Sequence, residues 1–112
     1  MTADPNAAIE IDVDELARWR HAQLGHLVLD VREPWETELC LIAGSVIVPL
    51  GALPGAAETL PRDKPIVVVC HHGMRSLQGA VWLRRYGIEN AVSLAGGIDA
   101  WASRIEPMMA KY

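Results

Sequence analysis

Residues 66–76 read Ile66-Val67-Val68-Val69-Cys70-His71-His72-Gly73-Met74-Arg75-Ser76. Four successive β-branched apolar residues predict a strand. The lack of any polar alternation predicts burial of both its faces, as in a parallel sheet. From Ser76 to about Tyr86 the chain predicts a helix that is apolar nearly all round (Leu77, Ala80, Val81, Trp82, Leu83), with Gly87 as its C′ cap. Arg84 and Arg85 reach outward from it along their own aliphatic stems. A cysteine therefore lies between the carboxyl end of a buried strand and the amino end of a helix. The free N–H groups and positive dipole end of a helix favour an anion at that place. Arg75 adds a guanidinium that stays protonated. A free cysteine also packs well as a small hydrophobe, but two histidines and an arginine beside Cys70 favour a reactive thiolate.

On either side of this segment, strands alternate with helices. Ile9-Glu10-Ile11 predicts a short strand. Asp12, with Glu15 three residues on, fits a capping box for a helix from about Val13 to Gln23 that stops near Gly25. Leu27 to Val31 predicts a strand, Pro34 opens a short helical turn through Glu38, and Ser45 to Val48 predicts a brief strand closed by Pro49. Gly51 to Leu60 is expected as a loop or short helix. Ala91 to Leu94 predicts a last strand, Gly96-Gly97 a tight turn, and Ile98 to about Ile105 a final helix. This order predicts an α/β fold with a mainly parallel sheet and helices on both faces. Ligands bind such sheets at the carboxyl ends of the strands, where Cys70 and Asp30 both fall.

The chain of 112 residues, 51% hydrophobic and 21% charged, suits a folded domain spanning 1–112, with a core of about 9–105 and tails at 1–8 and 107–112. A net charge of −4 gives no field drawing the chain to nucleic acid or an anionic membrane. Two cysteines, Cys40 and Cys70, make no metal framework, so neither a metal nor a cofactor is expected. No apolar run approaches the roughly 20 residues of a membrane span. The opening residues have neither a basic start nor an apolar stretch, and the expectation is a cytoplasmic protein.

A thiolate in such a loop suits phosphoryl transfer or sulfane-sulfur transfer. Cysteine-dependent phosphatases use C-x5-R, wide enough for a tetrahedral phosphate, whereas Cys70 and Arg75 enclose four residues. The shorter loop predicts a tighter pocket that fits one sulfur atom on the cysteine. A phosphatase also needs an acid to protonate its leaving group. Sulfite, released from thiosulfate, needs none.

Four segments resemble the single-domain rhodanese family, the thiosulfate sulfurtransferase-like modules. They are L-V-L-D-V-R-E-P at 27–34, I-A-G-S-V-I-V-P-L at 42–50, C-H-H-G-M-R-S at 70–76 and L-A-G-G-I-D-A-W at 94–101. The resemblance covers about Ile9 to Trp101. It implies five parallel strands with flanking helices and a persulfide carried on Cys70. The Cys70 thiolate would take the outer sulfur of thiosulfate and expel sulfite, and a cradle of N–H groups from His71 to Ser76 would hold the persulfide anion. A thiophilic acceptor would then remove that sulfur, in ping-pong fashion.

Around Cys70, Gly73 supplies a conformation closed to other residues, and Ser76 is expected as the first helical residue or cap. Met74 walls the pocket or simply packs. His71 and His72 raise the local positive charge, act as a weak base, or point to solvent. Arg75 either steers an anionic donor or ties the loop by a salt bridge. Asp30 is expected to hydrogen-bond loop amides and fix the architecture. Arg32 is expected to pair with a nearby carboxylate such as Glu33 or Glu36, or to face the pocket. Cys40, flanked by Leu39 and Leu41, is expected to be a packed thiol rather than a resolving one. The carboxyl-terminal stretch resembles the ends of rhodanese modules fused to adenylyltransferases. This suggests an alternative role as a sulfur relay between a cysteine desulfurase and a sulfur-carrier protein. A phosphatase or arsenate reductase, and a non-catalytic binding module, are the rival classes.

Overall fold

The computed structural model of the chain describes residues 8–112. The expected amino-terminal tail, Ala8 apart, lies outside the described residues. Strand β1 is Glu10–Ile11, β2 Leu27–Asp30, β3 Val46–Ile47, β4 Ile66–Val69 and β5 Ala91–Leu94. Helix α1 is Val13–His21, α2 Pro34–Thr37, α3 Leu53–Ala56, α4 Met74–Tyr86 and α5 Gly97–Arg104. Short 3-10 turns at Leu50–Ala52 and Ala57–Thr59 flank α3. All pairings are parallel and the strand order is β1-β5-β4-β2-β3. No helix among the described residues is long and apolar enough to cross a membrane.

Alternation along β4 explains the layers. Successive side chains of a strand point to opposite faces, so Ile66 and Val68 join one core with Leu29, Leu53, Ala80 and Leu83. Val67 and Val69 join a second core with Val13, Leu16, Val28, Ile98 and Trp101. α3 and α4 thus cover one face, and α1 and α5 the other. Every side chain of β4 is buried, as its unbroken apolar run requires.

The topology locates a crevice. The chain leaving β2 turns toward β3, whereas the chain leaving β4 turns toward β5. β2 and β4 are neighbours, in register from Leu27 beside Ile66 to Asp30 beside Val69. Diverging connections from adjacent parallel strands open a cleft at their carboxyl ends. The loops after Asp30 and Val69 line it.

One boundary beside this cleft, and one helix cap away from it, differ from the sequence expectation. Helix α4 begins at Met74, not Ser76, because Gly73 adopts φ +108° and turns the chain into the helix two residues earlier. At the amino end of α1, Asp12 accepts from the Glu15 amide at 2.8 Å. The Glu15 carboxylate meanwhile bonds Arg18 and Trp19.

Candidate active site

Cys70 is the first residue beyond β4 and is 1% exposed. The Gly73 N–H donates to its Sγ at 3.0 Å. Helix α4 starts at the next residue, so the first N–H groups of the helix have no partner within it. Two glycines of the turn before α5 make the loop compact. The Ile98 and Asp99 N–H groups donate to the carbonyls of Cys70 and His71, at 2.9 and 3.1 Å. Gly97, at φ +61°, presses against those carbonyls: a β-carbon there would lie 2.5 Å from the Cys70 oxygen and 2.4 Å from the His71 oxygen. With both carbonyls drawn toward α5, the opposite side of the loop is left to N–H groups.

Behind the sulfur lies a buried hydroxyl pair. Ser76 Oγ is 3.3 Å from Cys70 Sγ and 2.7 Å from the Oγ of Ser93 on β5. Ser76 is the third residue of α4 rather than its first residue or cap. Both serines are fully buried.

Arg75 is committed to a salt bridge. Its Nη1 and Nη2 donate to the two oxygens of Glu36 at 2.7 and 2.8 Å. This fork raises the guanidinium further above its ordinary value and pulls the Glu36 carboxyl down to about 2. The Glu33 amide and Tyr112 hydroxyl assist against the cost of burial.

Asp30 departs from expectation, and Arg32 finds a carboxylate on the other side of it in the chain. Asp30 does not reach the amides of the Cys70 loop. Its carboxylate accepts from the Arg32 amide at 3.0 Å and from the Arg32 Nε and Nη2, the latter at 2.7 Å. Arg32 pairs with Asp30 rather than with the side chain of Glu33 or Glu36, because the chain beyond β2 folds it back over the strand end. Its remaining donors reach the Glu36 and Cys40 carbonyls at 3.2 and 2.7 Å, and the Tyr112 hydroxyl at 3.0 Å. Burial opposes its charge, but Asp30 and Tyr112 outweigh that and raise its affinity for the proton. Arg32 is fully buried and does not face the cleft.

Residues 107–112, expected as a tail, return to the site. The Tyr112 hydroxyl donates to Glu36 at 2.9 Å, and its ring stacks on His71 at 3.9 Å, 7° from parallel. Burial and Glu36 raise the Tyr112 pKa, against Arg32. The His72 ring also lies 3.9 Å from His71, tilted by 31°. The Nε2 of His71 is buried without a hydrogen-bond partner among the described residues, so stacking holds the ring. Met74 is 81% exposed and forms the outer rim instead of packing.

His71, His72 and Asp99 bring potential metal-ligand atoms within 4.8 Å of one another. The two imidazole rings lie 3.9 Å apart, tilted by 31°, and Lys111 already sits 3.4 Å from Asp99. Cys40 is half-buried against the second core, and its sulfur accepts weakly from Arg32 at 3.7 Å. That arrangement fits a packed thiol, and both cysteines are free.

Sequence reading passed over Ser93 and Tyr112 and gave Glu36 no role beyond a candidate partner for Arg32. Ser93 left one trace, a lone hydroxyl in the otherwise apolar A-V-S-L of β5. Tyr112 left none, because its partners lie 76 and 80 residues away.

A family model described as Rhodanese-like domain matches residues 12–104. The chain is similar to a protein named Sulfurtransferase from Allochromatium vinosum, 31% identical over 101 residues, which covers 90% of this chain and 94% of that one. It is also similar to the probable adenylyltransferase/sulfurtransferase MoeZ of Mycobacterium tuberculosis, 34% identical over 101 residues and 88% of this chain. It spans only 26% of that protein's length. Among solved structures, a rhodanese-related protein from Thermoplasma volcanium shares 36% identity at a TM-score of 0.78, covering 88% of this chain and 94% of that one.

Proposed function

The chain belongs to the rhodanese-like domain family, and on that footing we propose that it is a sulfurtransferase that carries a sulfane sulfur as a Cys70 persulfide. The observation that carries this reading is the setting of Cys70 Sγ. It receives the Gly73 amide at 3.0 Å and lies beside the open first turn of α4. In the first step the thiolate attacks the outer sulfur of thiosulfate or another sulfane donor. A new S–S bond forms, the old one breaks, and its electron pair leaves with sulfite. The negative charge then rests on the terminal persulfide sulfur, where the loop N–H groups stabilise it in advance of the chemistry. In the second step a thiophile takes that sulfur and Cys70 returns as the thiolate. A cytoplasmic, reducing setting suits a thiol that must be free after each turnover.

The geometry speaks against phosphatase or arsenate reductase chemistry. The buried carboxylate nearest the loop is Glu36, which Arg75 holds ionised down to about pH 2, so it has no proton for a leaving alkoxide. The same fork leaves Arg75 little freedom to clamp an oxyanion. The near-complete burial of Cys70 suits attack on a projecting outer sulfur better than attack at the centre of a tetrahedral ester. The retained thiol also weighs against a purely non-catalytic binding module.

The similarity to the mycobacterial adenylyltransferase/sulfurtransferase favours a second reading within the same chemistry, a relay from a cysteine desulfurase to a sulfur-carrier protein. Thiocyanate formation from thiosulfate and cyanide tests the first reading, with wild type beside Cys70→Ser and Cys40→Ser. Turnover is expected in the wild type and Cys40→Ser, and none in Cys70→Ser. A wild type inactive with thiosulfate but loaded by a desulfurase would select the relay.

A further inference from the structure

The hydroxyls of Ser76 and Ser93 form a closed pair behind Cys70, with no other acceptor for either proton among the described residues. Counting protons gives the chain a preferred direction. If Cys70 is a thiol, three protons share two contacts, so one of them, the S–H or a hydroxyl, has nothing in the trio to receive it. If Cys70 is a thiolate, Ser93 donates to Ser76, Ser76 donates to the sulfur, and every proton is used. A buried donor left unpaired is costly, and a bond to an ion is stronger than one to a neutral group.

We infer that Ser93 is a positioning residue for sulfur transfer: acting through Ser76, it stabilises the Cys70 thiolate and, on the sulfurtransferase reading above, speeds discharge of the persulfide. In discharge to cyanide, the cyanide carbon bonds the terminal sulfur, the Sγ–S bond breaks, and its electron pair stays on Sγ. That sulfur is nearly uncharged in the persulfide and anionic afterwards, so a donor aimed at Sγ favours the second step. The Gly73 N–H also donates to Sγ, and the free N–H groups at the start of α4 are left for the terminal sulfur. The charged and titratable groups around Cys70 are Arg75 of α4 with Glu36, His71 and His72 of the loop with Tyr112, Asp99 of α5 with Lys111, and Asp30 at the end of β2 with Arg32. None of them is altered by a change at Ser93.

The test measures iodoacetamide alkylation of Cys70 from pH 5 to 10, located by peptide mass, in wild type, Ser93→Ala and Ser93→Thr. Alkylation of Ser93→Ala is expected to be slowed about fivefold at acid and neutral pH and to match wild type at high pH, with Ser93→Thr restoring the rate. Ser76→Ala should show the same pattern, and it supplies the measurement if Ser93→Ala does not fold. Single-turnover discharge of the preloaded persulfide into cyanide should slow by a similar factor. An alkylation profile unchanged in Ser93→Ala, or equal slowing at every pH, would overturn the inference. A shifted profile in a protein that no sulfane donor loads would uphold the hydroxyl pair and overturn the sulfurtransferase reading instead.

Discussion

Glu36 and Arg75 face each other across the cleft with both carboxylate oxygens engaged, at 2.7 and 2.8 Å. The pair fastens the segment after β2 to the first turn of α4, and so fixes the floor of the Cys70 loop. Glu36 is 3% exposed, so Glu36→Gln leaves a guanidinium without its anion. The expected cost is about 2–3 kcal/mol of stability and roughly a tenfold loss of sulfur transfer. The folded carboxyl lies at about 2, against an ordinary 4.5. Its contribution is therefore fully present above about pH 4.5 and is lost as pH falls toward 2. Urea melts at pH 2, 3, 4.5 and 7 should show wild type and Glu36→Gln converging at the acid end. Curves that stay equally far apart at every pH would show that the ionised Glu36 carboxyl is not what separates the two proteins.

Glycine positions offer a sharper contrast. Gly97 and Gly44 both have positive φ, +61° and +82°, but a β-carbon at Gly97 would collide with the Cys70 and His71 carbonyls, whereas none meets anything within 4 Å at Gly44. Gly44→Ala should lose only the strain of the left-handed conformation, about 1 kcal/mol. Gly97→Ala must displace the loop itself and should cost several times more and abolish transfer. Thermal melts of the two variants, read beside thiocyanate formation, check this. Equal destabilisation would show that the loop yields easily.

The contrast between local and distant signals explains what the sequence revealed. β4 and the cysteine after it were legible because Ile66 to Val69 is an unbroken apolar run and because a strand–loop–helix junction has its own electrostatics. The start of α4 was misplaced because its cap is Gly73, which turns the chain through its backbone conformation without a capping side chain. Arg32 does pair with a nearby carboxylate, but helical spacing points to Glu36, while the actual partner, Asp30, lies two residues back, where the chain reverses out of the sheet. Gly96-Gly97 was read as a turn, but its contact with the carbonyls of the Cys70 loop exists only once β4 and β5 are side by side. Tyr112 belongs to the same class, since no periodicity connects it to Glu36.

Tyr112 separates two contributions to the cleft wall. Tyr112→Phe keeps the ring on His71 and removes the bonds to Arg32 and Glu36. Tyr112→Ala removes the stack as well. The first should cost about 1–2 kcal/mol, because both former partners keep other bonds, and the second roughly 1 kcal/mol more from the lost aromatic contact. Persulfide loading should fall only slightly in the phenylalanine variant and markedly in the alanine variant, where His71 is freed. Equal loading in both would mean that the stack does not order the loop. Denaturant melts and mass-detected loading give the two readouts.

Asp30 and Arg32 are both fully buried, and their charges meet at 2.7 Å. Removing one partner strands the other in a medium that solvates it poorly, so Arg32→Met should destabilise by about 3–5 kcal/mol, and Asp30→Asn by a similar amount. The double variant removes both charges and should be less destabilised than the sum of the two, by a coupling of about 2 kcal/mol or more. Arg32 also donates to the Cys40 and Glu36 carbonyls, which Met cannot replace, so full recovery is not expected. The rate of Cys70 alkylation at high pH should stay near wild type in any variant that folds, because neither charge touches the sulfur. Urea unfolding of the four proteins gives the cycle. Strict additivity would mean that the two charges do not support each other, and that Arg32 is held by the carbonyls alone.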